Sequence, residues 1–416
     1  IPKADVNYVA EYNRLSRPEN FDPNKNAADL YEKVYASFKE RPCKLDWYDE
    51  SWPSDFNDVQ RDLLNNWIQS NTESFGYFSK AVDKPYYWVE VEIEDNVLMM
   101  MKLPEVGSLR RVSRAVLCRA RVNAASGDLN TAFDDILNCY KAGTQICNEN
   151  ACLVQQLTGM GIRKKALEAL LMIVDRAEID KDTLSMFQDK LQDILREDDF
   201  VPGFKSEKLF SYDQIQRLFL GKGRLAFRIA FDVRCMCGDI EWPLVRSCFL
   251  GPTRADAIDH VEETFGLYDQ IKYKEPWQIE SEAYNNFEKI SDLNERYVFF
   301  RMFGRGGAPE RTFYSCHESR ALGDAVIAVL AIHRYEIETG RFPGNLKALV
   351  DLGYLSSAPL DPFSGQMLIY NSDGDSFSLY SIGRDFKDDG GKLREDRVFW
   401  PTLASLTRHS QVPGGI

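Results

Sequence analysis

Four aspartates stand close together near the end of the sequence, in the segment between Ile382 and Val398. They are Asp385, Asp388, Asp389 and Asp396, and glycines at positions 383, 390 and 391 lie beside them. Calcium takes six to eight oxygen ligands at about 2.3–2.6 Å from carboxylates and carbonyls, and glycines let a turn point its carbonyls inward. Carboxylates on one loop repel each other unless a cation neutralises them. The segment therefore indicates a calcium site or a solvated acidic loop, and taken alone it favours the solvated loop.

Other residues with catalytic chemistry form no recognisable site. The sequence contains no G-x-S-x-G, H-E-x-x-H, phosphate-loop or dinucleotide-binding motif. Cys316 and His317 are adjacent at the start of a predicted helix, where neighbouring side chains point in different directions, so no catalytic dyad is expected there. His333 falls on the apolar face of the same helix, which indicates a histidine of the core.

The nine cysteines leave at least one thiol unpaired within the chain. Cys235, Cys237 and Cys248, together with His260, have the residue types of a zinc site, but not the usual spacing of two close cysteine pairs. A disulfide is a second interpretation, and plain packing or free thiols are the favoured one. Cysteine usage therefore leaves the compartment undecided.

The composition is that of a globular protein with two or three domains. Of the 416 residues, 44% are hydrophobic and 28% charged, and the formal net charge is −13. An acidic chain repels phosphate backbones, so nucleic acid is not expected as a partner. The sequence contains no run of 18 apolar residues, which is about the length that a membrane-spanning helix needs. Because residue 1 is isoleucine, we interpret the chain as processed or truncated, and expect membrane attachment only through an anchor before Ile1.

Domain boundaries and helices are predicted from changes in hydrophobic periodicity and from glycine and proline residues that interrupt it. We predict an extended polar leader or tether at 1–30, a mostly helical domain at 31–303, a glycine-rich junction at 304–310, an α+β module at 311–403 and a tail at 404–416. The predicted fold class is mostly α, and α+β overall. The predicted helices are Ala27–Lys39, Val59–Lys80, successive helices over Leu103–Glu197, Ala255–Gln270, Ile279–Met302, Arg311–Thr339 and Lys347–Leu352.

One helical hairpin has a specific pattern within Arg114–Cys147. A helix ends near Gly127, and Asp128 is placed to cap the next helix. The pattern resembles a tetratricopeptide-type hairpin over about 35 residues, and no second good copy follows at a period near 34. The sequence therefore favours a stack of helical hairpins over a regular repeat array.

The strands are predicted from alternation and turn signals. Val89–Glu94 alternates strictly and indicates a strand or an extended edge whose three carboxylates form a solvated face. Near the C-terminal end, Gln366–Tyr370 and Ser376–Ser381 flank Asp373-Gly374, which is a hairpin turn signal.

Five segments in order resemble the C-terminal globular part of the major pseudopilin of type II secretion systems. They are Y-E-I-E-T-G-R-F-P (335–343), L-D-P-F-S-G (360–365), F-S-L-Y-S-I-G-R-D (377–385), D-D-G-G (388–391) and D-R-V-F-W (396–400). The resemblance covers 321–400, about a fifth of the chain. It implies a long helix packed on a small antiparallel sheet, with a last loop held by calcium. By this resemblance, Asp385 matches the family's aspartate after the strand, and Asp396 matches the aspartate four residues before the tryptophan. Asp388 and Asp389 lie between them and would add ligands, and backbone carbonyls would complete the shell.

The chain also departs from that family. The pseudopilin begins with a hydrophobic helix that packs the filament core, whereas here some 300 mostly helical residues precede the resembling segment. We therefore expect a pseudopilin-like module appended to a helical domain, and not a filament subunit.

The leading functional hypothesis is a non-catalytic structural or protein-interaction protein with a calcium-stabilised module. We expect a periplasmic or cell-surface location, with or without a membrane tether, and a protein or peptide partner or self-association. One alternative is a hydrolase with paired carboxylates in an aromatic cleft of the helical domain. The tryptophans considered for that cleft are Trp47, Trp52, Trp242 and Trp277. Another alternative is a cytoplasmic helical scaffold.

Overall fold

The computed structural model describes residues 5–42, 51–197, 200–219, 253–282, 285–295, 307–403 and 405. The described part is mostly helical and carries one small antiparallel sheet near its C-terminal end. This agrees with the predicted α+β class. The zinc or disulfide hypothesis for Cys235, Cys237 and Cys248 lies outside the described residues.

The helices account for most of the described chain. Those of the first half are α1 (Tyr8–Ser16), α2 (Ala28–Ser37), α3 (Asp58–Ser70), α4 (Thr72–Val82), α5 (Pro104–Ala125), α6 (Leu129–Ile146) and α7 (Leu153–Arg176). Those of the second half are α8 (Lys181–Arg196), α9 (Lys205–Leu218), α10 (Arg254–Ile271), α11 (Pro276–Glu280), α12 (Asn286–Glu295), α13 (Ala308–Thr339) and α14 (Leu346–Asp351).

The predicted hairpin is formed by α5 and α6. Asp128 is the N-cap of α6, and its side chain accepts a hydrogen bond from the backbone N–H of Thr131 at 3.1 Å. Gly127 has a φ of 89°, a left-handed conformation that glycine adopts without strain. Phe133, Ile136 and Tyr140 are buried and form the side of α6 that faces the core.

Two predicted helices are interrupted in the structure. The segment predicted as Val59–Lys80 is split into α3 and α4 at Asn71, whose buried side chain accepts from the backbone N–H of Lys39 at 2.8 Å and donates to the carbonyl of Trp67 at 3.0 Å. The segment predicted as Ile279–Met302 includes the end of α11 and then α12, and residues 283–284 and 296–302 are not described. Long-range hydrogen bonds of this kind leave no periodic signal in the sequence.

The alternating segment Val89–Glu94 belongs to no strand of the sheet, and its last residue, Glu94, begins a short 3₁₀ turn (Glu94–Asn96). Instead, the side chain of Asn13 on α1 takes the place of a neighbouring strand. Its amide donates to the carbonyl of Val91 and its oxygen accepts from the N–H of Val91, both at 2.9 Å. An amide side chain thereby satisfies the backbone groups that a strand partner would otherwise pair.

The C-terminal part consists of α13 followed by a three-stranded sheet. The strands are β1 (Ile369–Ser372), β2 (Phe377–Ser381) and β3 (Arg397–Trp400), antiparallel in the order β1-β2-β3. Helix α13 begins at Ala308, three residues before the predicted start, because Pro309 suits the first helical turn. The helix ends at Gly340, whose left-handed φ of 73° is that of a C-terminal glycine cap.

Helix α13 joins the C-terminal sheet to the preceding helices in one core. Its buried stripe packs against α7 and α8, and the same hydrophobic cluster includes Ile136, Leu170, Leu330, Phe399 and Trp400. The N-terminal half of α13 enters a second cluster through Phe313, which lies with residues of α9, α10 and α12. The sheet and its loop are therefore held rigidly against the helical part.

His333 packs against aromatic residues of the core, as predicted, but its side chain keeps 20% of its surface exposed. Its ring packs edge-on against Phe377 and Trp400, with centroids 5.6 and 5.1 Å apart. Burial lowers its pKa to about 4, so the imidazole is neutral at physiological pH.

Candidate functional site

The acidic loop joins β2 to β3 and is organised around Asp396. That carboxylate is 6% exposed and accepts three backbone N–H groups. Oδ2 accepts from Gly391 at 2.7 Å and Lys392 at 3.2 Å, and Oδ1 accepts from Asp389 at 3.3 Å. N–H donors of the loop thus surround this negative charge. By accepting them, the Asp396 carboxylate holds the loop in its conformation.

The other three predicted ligands lie on the same loop as Asp396. Asp388 accepts from the hydroxyl of Tyr380 at 3.1 Å and from the N–H of Gly390 at 2.9 Å. Asp385 is exposed and accepts from the N–H of Lys387 at 3.3 Å. Among the described residues, no three His, Cys, Asp or Glu side chains are placed to hold a metal ion. Carboxylate and carbonyl oxygens of the kind found on this loop are the ligands that calcium takes.

A cleft of about 600 Å³ lies between the acidic loop and the helices. This volume is typical of ligand-binding pockets, which range over roughly 300–1,000 Å³. One wall is formed by residues of α5, α7 and α13, and the other by residues 383–385 and 393–399 with the chain that follows β3. We call it the junction cleft. Its lining includes Arg114, Leu117, Lys165, Glu168, Met172, Glu318, Arg384, Leu393, Arg394, Arg397, Phe399 and Leu403.

An ion-pair network centred on Glu168 crosses the junction cleft. Arg397 of β3 donates to Glu168 of α7 at 2.9 Å, and Nζ of Lys165 lies 3.2 Å from the same carboxylate. Burial alone would raise the pKa of Glu168, but Lys165, Lys164 and Arg397 outweigh it and lower that pKa. The cleft therefore holds an ionised carboxylate among three cations.

A second ion pair ties the acidic loop to α13. Arg384 donates through Nε and Nη2 to the carboxylate of Glu318, at 2.5 and 3.0 Å. Two parallel bonds between a guanidinium and a carboxylate fix orientation as well as distance. Together with the pair between Arg397 and Glu168, this contact fixes the loop in place as one wall of the cleft.

The other described residues that the sequence singled out do not line the junction cleft. Cys316 and His317 are both buried, and Nδ1 of His317 lies 3.0 Å from a carboxylate oxygen of Glu275. Trp52 is buried in the main core, whereas Trp277 packs against Gly365 near the sheet. Trp47 and Trp242 lie outside the described residues. Of the four tryptophans considered for an aromatic cleft, the two described ones thus belong to different parts of the molecule.

A second cavity of about 380 Å³ combines aromatic rings with carboxylates. Tyr12, Trp88 and Glu105 line it, and burial raises the pKa of Glu105. Glu90 and Glu92 also border the cavity but are exposed on the extended segment. A paired-carboxylate hydrolase needs two carboxylates with shifted pKa values inside one pocket, and this cavity offers one half-buried carboxylate and two solvated ones.

Comparison with known proteins identifies no relative of this chain. No family model, no curated protein and no solved structure matches it. Within the described ranges, no helix is both long enough and apolar enough to cross a membrane.

Sequence reasoning missed the residues that shape the junction cleft. Arg397 and Glu168 are 229 positions apart, and no motif links them. The available signal was the run Arg163-Lys164-Lys165 followed by Glu168 on a predicted helix, which is an i, i+3 and i, i+4 charge pattern. That pattern indicates a solvated helix face, and only the contact of Arg397 on β3 with Glu168 makes this face a wall of the cleft.

Proposed function

We propose that this chain is a non-catalytic, extracytoplasmic structural or protein-interaction protein whose partner binds in the junction cleft. The observation that carries the proposal is the cleft itself, formed where the pseudopilin-like part meets the helices. Its walls are held by ion pairs and its rim exposes apolar surface, since Leu393 is 46% exposed and Leu403 45% exposed. Exposed apolar surface beside charged groups is typical of sites for polypeptide partners.

Site-specific photo-crosslinking tests this proposal. One variant carries a photoreactive amino acid in place of Leu393, on the rim of the cleft. The control variant carries it in place of Val59 on α3, a side chain that is 69% exposed. After irradiation in an extract of the source cells, we expect a crosslinked polypeptide from position 393 and none from position 59. An adduct of twice the chain's mass would identify a second copy as the partner.

Equal crosslinking at both positions would show nonspecific capture and count against the cleft. Absence of any adduct at Leu393, and also at a second rim position such as Leu403, would remove the proposal. The periplasmic or cell-surface location rests on the pseudopilin resemblance and is supported separately if the adducts form only in an envelope fraction.

Calcium at the acidic loop is part of the same proposal and is supported by the resemblance and by the oxygen donors of the loop. We expect millimolar calcium added after chelation to raise the melting temperature by about 2 °C, because a ligand that binds only the folded state stabilises it by mass action. Asp385→Ala should abolish that rise while leaving the calcium-free melting temperature unchanged, since this exposed carboxylate has one weak contact within the loop.

Asp396→Ala is a poor test of metal binding, because the loop loses three N–H contacts with or without calcium. The matched control is Asp375→Ala, an exposed aspartate of the β1–β2 turn. It should retain the full calcium effect. An unchanged melting temperature in calcium, for the unmodified protein, would sink the metal site and leave the cleft proposal standing.

A further inference from the structure

We infer that the junction cleft takes an acidic peptide segment of a partner protein, in which a carboxylate stands next to an apolar side chain. This inference rests on the proposed function, because it assigns the chemistry of the partner. Its support comes from the charge, the free guanidinium groups and the apolar rim of the cleft.

The charge balance in the junction cleft is the reverse of that of the chain. Six of its lining residues are Arg or Lys and five are Asp or Glu, whereas the chain has 51 basic and 64 acidic residues. Four of the five acids already have partners. Asp396 accepts backbone N–H groups, Glu168 pairs with Lys165 and Arg397, Glu318 pairs with Arg384, and Glu395 pairs with Lys392 outside the lining. Three of the six cations are used in these pairs, so the cleft carries a formal charge of +1 on an acidic protein, which favours an anionic partner.

Two arginines on different walls present guanidinium groups to such a partner. Arg114 projects from α5 and Arg394 from the acidic loop, and both are exposed. Neither has an ion-pair partner among the residues that the structure describes. A guanidinium donates two parallel hydrogen bonds to a carboxylate, so each can bind one acidic side chain or a free C-terminus.

The apolar part of the partner has its own place. Leu393 and Leu403 expose nearly half of their surface at the rim, while Leu117, Met172 and Phe399 form buried surface beneath them. Covering these leucines would remove apolar area from water, which favours binding. Carboxylates alone would leave that area exposed, so the cleft selects a segment with both kinds of side chain.

The interior of the cleft already shows how it stabilises a carboxylate. The carboxylate of Glu168 is held ionised by Lys165 and Arg397 at 3.2 and 2.9 Å. A peptide fits better than a nucleic acid, because a phosphate backbone extends beyond the cleft onto a chain whose net charge is −13. A short segment with one or two carboxylates stays within the basic region.

Fluorescence anisotropy of labelled peptides tests the inference. One probe is a six-residue peptide that alternates leucine and aspartate, and the matched probe replaces each aspartate with asparagine. We expect the aspartate peptide to bind at least tenfold more tightly at low salt, with affinity that falls as salt rises. Arg114→Glu and Arg394→Glu should each weaken binding about tenfold, which corresponds to about 1.4 kcal/mol. Arg110→Glu, on the same helix but outside the cleft, should bind like the unmodified protein.

Three results would overturn the inference. The first is equal affinity of the protein for the two peptides. The second is a loss of affinity in Arg110→Glu as large as that in Arg114→Glu or Arg394→Glu. The third is tighter binding of a single-stranded oligonucleotide than of the aspartate peptide. If position 393 crosslinks to a protein while the aspartate peptide gains no affinity, the proposed function stands and the acidic partner is wrong. If neither experiment is positive, both fall. Circular dichroism of each variant confirms that these exposed substitutions leave the fold intact.

Discussion

Replacing Asp361 with alanine is expected to lower the free energy of unfolding by about 4 kcal/mol. The carboxylate is 1% exposed and accepts four hydrogen bonds. They come from the N–H of Phe363 at 3.0 Å, the hydroxyl of Ser381 at 2.7 Å, the N–H of Ile382 at 3.1 Å and the hydroxyl of Ser364 at 3.3 Å. Alanine leaves these donors buried without an acceptor, and each unsatisfied group costs about 1–3 kcal/mol.

Asp361 thereby explains the L-D-P-F-S-G segment in structural terms. It connects the turn at 361–365 to the end of β2, from which the acidic loop begins. Urea unfolding followed by circular dichroism measures the effect. Asp361→Asn keeps one acceptor oxygen but places an amide NH₂ against an N–H donor. Its loss in the free energy of unfolding is therefore expected to be smaller than that of Asp361→Ala.

The matched control is Asp351→Ala, which removes an exposed carboxylate paired with Lys347 at 2.6 Å. A solvent-exposed ion pair contributes about 0.2–1 kcal/mol, so a small loss is expected. If Asp361→Ala were as mild as Asp351→Ala, the buried hydrogen bonds would not be holding the turn against β2.

Gly159→Ala is the second substitution with a large expected effect, a loss of about 2–3 kcal/mol in the free energy of unfolding. Helices α6 and α7 cross with their backbones in close approach at this residue. A methyl group on Gly159 would stand 2.5 Å from the carbonyl oxygen of Gly143, and one on Gly143 would stand 2.6 Å from the carbonyl oxygen of Gly159. Backbone atoms cannot move aside as a flexible side chain does, so the helices must separate.

Gly161 provides the control on the same helix. It is exposed and a methyl group there meets nothing within 4 Å. Gly161→Ala should therefore stabilise the protein by up to about 1 kcal/mol, because alanine favours a helix over glycine. Opposite signs for the two substitutions in thermal or urea unfolding are the expected result. Stabilisation by both would show that α6 and α7 do not pack this closely.

Several local features were predictable from the sequence because their cause lies within a few residues. The cap at Asp128 needs only a carboxylate near the first N–H groups of its own helix, and the cap at Gly340 needs only a residue that tolerates a left-handed φ. The hairpin of β1 and β2 follows from alternation on each side of Asp373-Gly374, although β1 begins at Ile369, later than predicted. The acidic loop was visible as a cluster of aspartates.

The roles of those aspartates were not predictable, because they depend on which backbone atoms the fold brings near. Asp396 accepts N–H groups of its own loop. The path of that loop, and therefore which N–H groups lie near Asp396, depends on how β2 pairs with β3. The break at Asn71 is also tertiary, since its side chain is fixed by Lys39 from another part of the chain.

Sequence patterns thus established the helical class, the small sheet and the helix caps, since propensity, periodicity and capping act over one or two turns. The junction cleft arose only in the folded molecule. Its central ion pair joins Glu168 and Arg397 across 229 positions, and the single core that unites α13 with α7 and α8 is what brings them to 2.9 Å. A contact between distant residues is set by the sum of all packing in between, and no short pattern encodes that sum.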